Sequence, residues 1–141
     1  MISKWWKRKW DWQSPPIETD RSKLSQREFE TEFYEHVASR QPDYWEALAA
    51  LANHYTAQRR FRDGLEVDRK LARIRPEDPV IHYNLACSYS LLGDLSSAFE
   101  SLERALSLGY RDFRHMMHDS DLDAVRADGR FVRLLSRYIT A

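Results

Sequence analysis

Residues 79–112 read PVIHYNLACSYSLLGDLSSAFESLERALSLGYRD, and this stretch decides the fold class. In its first half, apolar residues such as Leu85 and Tyr89 recur three or four positions apart, which is the spacing of one face of an α-helix. Gly93 ends that pattern, and a second helical pattern runs from there to Gly109. The stretch therefore predicts two helices joined by a tight turn.

The preceding stretch, 45–78, has the same length and repeats this pattern. Aligning the two stretches superposes three pairs that helix packing would bury: Leu51 on Leu85, Ala52 on Ala86, and Tyr55 on Tyr89. Only 5 of the 34 positions are identical, but the matches fall where two helices must approach closely. We expect two antiparallel helix hairpins that stack, because one hairpin alone cannot bury its apolar face.

The helical pattern continues on both sides of these two units. Ser25 and Glu28 form a capping box, which predicts a leading helix over residues 25–39. The stripe that we expect this helix to bury recurs every four residues: Phe29, Phe33 and Val37. Residues 113–140 predict a degenerate closing unit, so the helical domain spans residues 24–141.

The buried positions of the two units follow a shared order of large, small and aromatic residues. The first unit has Leu48, Leu51, Ala52 and Tyr55, then Gly64, Asp68, Leu71 and Pro76. The second has His82, Leu85, Ala86 and Tyr89, then Gly93, Ala98, Leu102 and Ala105. This order resembles the tetratricopeptide repeat (TPR) family over roughly residues 43–135. The sequence departs from the family pattern at Asp68, at Leu71, and at Gly109 and Tyr110, where a proline is usual.

The TPR resemblance implies an all-α fold, a right-handed α-solenoid of stacked antiparallel helix hairpins. About two TPR units, residues 45–78 and 79–112, would lie between the leading helix and the degenerate third unit. Proteins of this family hold an extended peptide or a partner helix in a concave groove lined by the first helices. By register, the groove is expected to contain nine residues: Ala49, Asn53, Thr56, Tyr83, Asn84, Cys87, Ser90, Arg114 and His118.

Two asparagines give this groove its most specific feature. Asn53 and Asn84 stand where family members that clamp a C-terminal carboxylate carry two asparagines, and such amides can fix a peptide backbone. Ala49 stands where the clamp carries lysine, while Arg114 and His118 approximate its other basic residues. The alternative is that both asparagines simply follow the general repeat consensus.

Charge and composition exclude several classes of protein. The 22 basic residues balance the 22 acidic ones, which gives no support to nucleic-acid binding through overall charge. Cys87 is the only cysteine, which excludes an intrachain disulfide and a multi-thiolate zinc site. The longest apolar run, residues 47–52, is far too short to span a membrane, and the N-terminus has no signal-peptide stretch. We expect a cytoplasmic protein.

Residues 1–23 form a separate segment. Residues 1–12, MISKWWKRKWDW, contain four of the five tryptophans, and Pro15 and Pro16 favour an extended tether after them. Exposed tryptophan clusters are unfavourable in water, so these residues predict a docking element: Trp5, Trp6, Lys7, Trp10 and Trp12. Three interpretations stay open: docking on a partner or in this protein's own groove, attachment to an anionic membrane surface, and a free tail.

The tail of the chain invites a metal or catalytic interpretation, which its spacing does not support. The candidate ligands are His115, His118, Asp119, Asp121 and Asp123. A calcium loop beginning at Asp119 would have Ala124 in place of its glycine and Arg130 in place of its final glutamate, so helix capping explains these residues more simply. Cys87 has no oxyanion-forming loop or orienting acid at a recognisable spacing. We predict no metal, no cofactor and no enzymatic activity.

The sequence therefore predicts an adaptor or assembly subunit that binds a protein or peptide partner in the groove, with the N-terminal segment as a second docking element. The alternative is a peripheral membrane protein that is anchored by this segment and recruits a client through its repeats. An arginine-rich run is interpreted mainly as a solvated helix face, with docking of an acidic partner as the alternative: Arg59, Arg60, Arg62, Arg69, Arg73 and Arg75. The glutamate-rich helix at 28–35 is opposite in charge, and a contact between the two, within one chain or between copies, is a further hypothesis.

Overall fold

The computed structural model describes residues 25–139, and within that range every regular element is helical. The helices are α1 (Gln26–Arg40), α2 (Trp45–Ala57), α3 (Phe61–Ile74), α4 (Pro79–Leu91), α5 (Leu95–Ser107), α6 (Phe113–His118), α7 (Asp123–Arg126) and α8 (Arg130–Ile139), with a 3₁₀ turn (Ser120–Leu122) before α7. The all-α prediction is confirmed. The N-terminal docking element lies outside the described residues.

The alignment of 45–78 with 79–112 is visible in the backbone. Helices α2 and α4 begin and end at aligned positions, and α3 and α5 begin at aligned positions as well. The turns between them also match: the amide of Arg59 donates to the carbonyl of Thr56 at 3.0 Å, and the amide of Gly93 donates to the carbonyl of Ser90 at 3.0 Å. Arg59 and Gly93 both have positive φ angles, 58° and 79°.

Consecutive helices pack against each other from α1 to α5, an arrangement compatible with a helical solenoid. One core lies between α1 and α4 and is built from Ala38, Leu48, Leu51, Ala52, Tyr55, Val67, Leu71 and Ile81. A second core joins α4 and α5 to the closing helices, where Leu102, Leu106, Met116, Leu122 and Val125 are completely buried. The closing unit is therefore packed onto the second hairpin.

Gly64 lies where α3 comes close to α2. A Cβ atom at this position would lie 3.4 Å from Thr56 Oγ1 and 3.8 Å from Tyr55 Cβ. Ala98 holds the equivalent place on α5 and is completely buried. Small residues at this position allow the two helices of each hairpin to approach closely.

The leading helix begins as predicted but packs through the opposite face. Ser25 caps α1, and the backbone amide of Ser25 donates to Glu28 Oε2 at 2.8 Å, which confirms the capping box. The prediction that Phe29, Phe33 and Val37 form the buried stripe was wrong: Phe29 is 50% and Phe33 is 55% exposed, and Val37 is half-buried. The buried residues of α1 are Thr31, Glu35 and Ala38. They face α2, where Tyr55 donates a hydrogen bond to Glu35.

No helix within residues 25–139 has the length and apolar character needed to cross a membrane.

Candidate partner-binding surface

Four of the nine residues predicted to line the groove are exposed. Asn53 lies on α2 and Asn84 on α4, the first helices of successive hairpins. Neither side-chain amide is hydrogen-bonded to another residue in the described part of the chain. Arg114 and His118 lie on α6, one turn apart, and the His118 ring nitrogen Nδ1 is 2.8 Å from the carbonyl oxygen of Arg114. We call Asn53, Asn84, Arg114 and His118 the exposed set.

Two further predicted residues are half-buried. Ala49 packs against the first core, which limits it to a shallow contact with any partner. The Thr56 hydroxyl donates to the carbonyl of Ala52 at 3.1 Å, beside Gly64. Thr56 therefore serves the packing of α2 against α3.

The remaining three residues, Tyr83, Cys87 and Ser90, correct the prediction because they are buried. They share one face of α4, and the 3₁₀ turn and α7 pack against that helix. Tyr83 stacks on Tyr110 with their ring centroids 4.3 Å apart, and its hydroxyl donates to Asp119 Oδ2 at 2.7 Å. Repeat register placed these side chains in an open groove, but all three are buried, and Asp119 of the closing unit contacts Tyr83 and Cys87.

Asp119 is the centre of this covered site. Its Oδ2 atom accepts a hydrogen bond from the Tyr83 hydroxyl. The Cys87 thiol donates to the same atom at 3.7 Å, and His115 Nε2 lies 3.2 Å from it. Its Oδ1 atom accepts from the backbone amide of Asp121 at 3.0 Å, which is the helix-capping role that the sequence predicts. One carboxylate thereby ties α4, α6 and the 3₁₀ turn together.

The surroundings of Cys87 and Asp121 raise the pKa of both side chains. Burial and the charges of Asp119 and Asp121 raise the pKa of the Cys87 thiol. Burial and the charges of Asp119 and Asp123 raise the pKa of Asp121, and the opposing effect of His115 is smaller. A buried thiol with a raised pKa is a weak nucleophile.

The residues of the described chain that could hold a metal lie in this same site. The ligand atoms of Cys87, Asp119 and Asp121 lie within 4.8 Å of one another. His115 joins them through Asp119, whereas His118 contacts the backbone of Arg114, and Asp123 pairs with Arg126. The hydrogen bonds that Asp119 already accepts give these residues a structural role.

The predicted contact between acidic and basic runs forms within the chain at one residue. Arg60 lies over the Tyr55 ring, 4.3 Å from its centroid, with Nη2 3.8 Å from Glu35 Oε1. Arg75 instead lies 4.2 Å from the centroid of the Trp45 ring and pairs with Asp78. Arg62 and Arg69 are exposed, as the solvated-face interpretation expects.

Sequence reasoning missed two buried carboxylates that join neighbouring units. Glu35 accepts from the hydroxyl of Tyr55 between α1 and α2, and Asp68 accepts from the hydroxyl of Ser88 between α3 and α4. In both pairs the hydroxyl follows the carboxylate by 20 residues. The departure of Asp68 from the repeat pattern was the available signal, because a charged residue at a core position needs a partner.

Comparison with known proteins gives a partial relative. No protein-family model matches the chain. Among curated proteins, the chain is 31% identical over 107 residues to a chloroplastic protein of Arabidopsis thaliana. The match covers 74% of this chain and 30% of that protein, so the chain spans less than a third of the length of the relative.

Proposed function

We propose that this chain is a TPR-type repeat protein, a right-handed solenoid that binds a segment of another protein and has no catalytic activity of its own. The aligned helices α2 to α5 and the matching turns at Arg59 and Gly93 support the repeat. The Cys87 thiol is buried and its pKa is raised, so it is a weak nucleophile, which supports the proposal that the chain has no catalytic activity at this position.

The observation that carries the binding proposal is the pair of exposed asparagines. Asn53 and Asn84 are the only asparagines in the chain, and each lies on the first helix of a hairpin with a free amide. An amide offers both a donor and an acceptor, which matches the backbone of an extended peptide. Arg114, exposed on α6, adds a cation that can pair with a carboxylate.

The partner that fits this chemistry is a peptide segment that ends in a free carboxylate or carries an acidic side chain. With alanine at position 49, the positive charge for this contact comes from Arg114. We therefore expect binding that depends on a carboxylate and weakens as salt is added.

The test uses peptides in two matched forms, with a free and with an amidated C-terminus, titrated into the full chain. Isotope labelling of asparagine gives two side-chain amide signals, one for each candidate residue. We expect both signals to shift with the free-carboxylate peptides, and the Asn53→Ala/Asn84→Ala variant to lose affinity in calorimetry. The matched control is Arg62→Ala/Glu100→Ala, which removes exposed residues from the second helices α3 and α5. Equal affinity of both variants would contradict the proposal.

A further inference from the structure

Helix α1 carries an aromatic stripe on the side that faces away from α2. Phe29 and Phe33 lie one turn apart, and each is about half exposed, at 50% and 55%. The side chains that pack on α2 are on the opposite face of the same helix. Adjacent exposed phenylalanine rings form an apolar patch, which usually marks an interaction site.

Helices α3 and α5, which correspond to α1 in the neighbouring units, carry polar residues at the positions equivalent to Phe29 and Phe33. The pairs Glu35–Tyr55 and Asp68–Ser88 show that α1 contacts α2 as α3 contacts α4, so Glu35 is equivalent to Asp68. In this alignment Phe29 and Phe33 correspond to Arg62 and Glu66, and the next unit carries Ser96 and Glu100 there. All four of these counterparts are exposed. The phenylalanines of α1 are thus unusual for an exposed helix surface of this fold.

We propose that residues 1–12 of the same chain dock on the stripe formed by Phe29 and Phe33. These residues contain four tryptophans, which gain most from apolar contact. The occupant is therefore a named segment of this chain, and the surface is the outer face of α1.

The connection between residues 1–12 and α1 is long enough for this contact. Helix α1 has 15 residues and is about 22 Å long at 1.5 Å per residue. Residues 13–24 connect the segment to α1 and can span up to about 40 Å. Every point of the stripe is therefore within reach, and a short connection gives an effective concentration of about 1 mM or more. A second copy of the chain must compete with this local concentration.

Charge favours the same occupant. Lys4, Lys7, Arg8 and Lys9 give the segment four basic residues against one acid, Asp11. On α1, helical spacing places Glu32 on one side of the stripe and Glu30 on the other, where Glu30 also lies 3.4 Å from His54 of α2, and Arg40 lies at the C-terminal end of the stripe. A basic aromatic segment is complementary to an aromatic stripe with glutamates along both sides.

This inference does not rest on the proposed function, because α1 carries none of the exposed set. The two proposals also fail separately: one is tested through Asn53 and Asn84, the other through Phe29 and Phe33.

The experiment measures tryptophan fluorescence of the full chain in a Trp45→Phe background, so that the whole signal comes from residues 1–12. Docked tryptophans emit at shorter wavelength and are protected from acrylamide. We expect Phe29→Ser/Phe33→Ser to shift the emission to longer wavelength and to increase quenching. Val132→Ser, at a residue that is 70% exposed on α8, is the matched control and is expected to change neither. Circular dichroism verifies that each variant keeps its helices.

A second variant leaves the helical domain untouched. Lys7→Glu/Arg8→Glu/Lys9→Glu reverses the charge of the segment and is expected to release the tryptophans to the same extent. Protection must also be independent of protein concentration, because both surfaces belong to one chain.

Three outcomes would overturn the inference. The first is tryptophans that are fully quenched in the parent protein or unaffected by Phe29→Ser/Phe33→Ser. The second is protection that grows with protein concentration together with a dimeric mass, which would assign the stripe to a second copy. The third is protection that arises only when vesicles containing anionic lipid are added, which would assign the segment to a membrane surface.

Discussion

The hydroxyl of Ser88 on α4 donates a hydrogen bond to the carboxylate of Asp68 on α3, and both residues are buried where the two hairpins meet. The bond offsets part of the cost of placing a carboxylate in the core. Burial raises the pKa of Asp68 to about 6, and the bond from Ser88 opposes that increase. A polar contact between the two hairpins thus limits how far burial raises the pKa of a core carboxylate.

The first prediction compares two serines on one helix. Ser88 and Ser90 are both 4% exposed, but the Ser90 hydroxyl has no hydrogen-bond partner within the described residues. We expect Ser88→Ala to lower the free energy of unfolding by about 1 to 3 kcal/mol, because Asp68 loses its donor. Ser90→Ala is expected to raise it by up to about 1 kcal/mol, because it removes a buried group without a partner. Urea denaturation measures both.

Helix propensity favours alanine at both positions, so opposite signs for the two variants reflect whether the serine hydroxyl has a hydrogen-bond partner. A loss of similar size at Ser90 would contradict the prediction.

The second prediction concerns pH. The pKa of Asp68 rises from its ordinary value of 3.8 to about 6 on folding, so folding takes up a proton between these values. The contribution of Asp68 to stability is therefore complete below about pH 4 and is lost as pH rises through 6, by about 3 kcal/mol in all. Asp68→Asn cannot titrate, so the stability of the parent protein minus that of this variant should fall by most of this amount from pH 4 to pH 7.

Urea denaturation at a series of pH values measures this difference. Other carboxylates affect both proteins equally and cancel in the subtraction. A difference that stays constant, or that grows with pH, would show that Asp68 does not have a raised pKa in the folded protein.

The sequence alone predicted the leading helix and the matching helices of the two units, because both depend on local signals. The capping box at Ser25 and the alignment of 45–78 with 79–112 are both properties of the chain itself. The buried face of α1 was not predictable in this way, since the helix has one stripe through Phe29 and another through Glu35. The hydroxyl of Tyr55 on α2 donates a hydrogen bond to Glu35, and a phenylalanine could not accept one.

The candidate site was predicted in part for a similar reason. Repeat register placed Asn53 and Asn84 on the first helices of the two hairpins, and both residues are exposed there. It failed for Tyr83 and Cys87, because the closing unit departs from the repeat and register cannot describe how it folds over α4. The contacts of Asp119 with both residues are formed only in the tertiary structure.

The third prediction follows from the turns. Arg59 has a φ angle of 58° at the position where the next unit has Gly93, at 79°. A side chain in this left-handed region is strained, so we expect Gly93→Ala to cost about 1 kcal/mol, although no atom would crowd its Cβ. Arg59→Gly relieves the corresponding strain and should stabilise the protein by a smaller amount, because glycine increases the entropy of the unfolded chain and the contact of Arg59 with Phe61 is lost.

Thermal denaturation of the two variants checks this prediction. Opposite shifts of the midpoint are expected. A stabilised Gly93→Ala, or an Arg59→Gly that loses as much as Gly93→Ala does, would show that backbone strain is not the controlling factor in these turns.

The fourth prediction uses Cys87 as a reporter of the closing unit. Asp119 accepts hydrogen bonds from Tyr83 and Cys87, and its charge helps to raise the pKa of the thiol. In Asp119→Ala the closing unit loses this attachment to α4, and the thiol becomes both more accessible and more easily ionised. We expect faster labelling of Cys87 by a maleimide under native conditions.

Asp94→Ala is the matched control for Asp119→Ala, because the Asp94 side chain also caps a helix, accepting from the backbone amide of Ser97 at 3.2 Å. Both variants lose a cap worth about 1 kcal/mol, and Asp119→Ala also loses the bond from Tyr83, so the labelling rates are compared after correction for each variant's free energy of unfolding. Local opening of the closing unit occurs only in Asp119→Ala, and its labelling should therefore be faster than that of Asp94→Ala at equal stability. Equal labelling rates would mean that Cys87 is exposed only by global unfolding, and that Asp119 does not hold the closing unit in place.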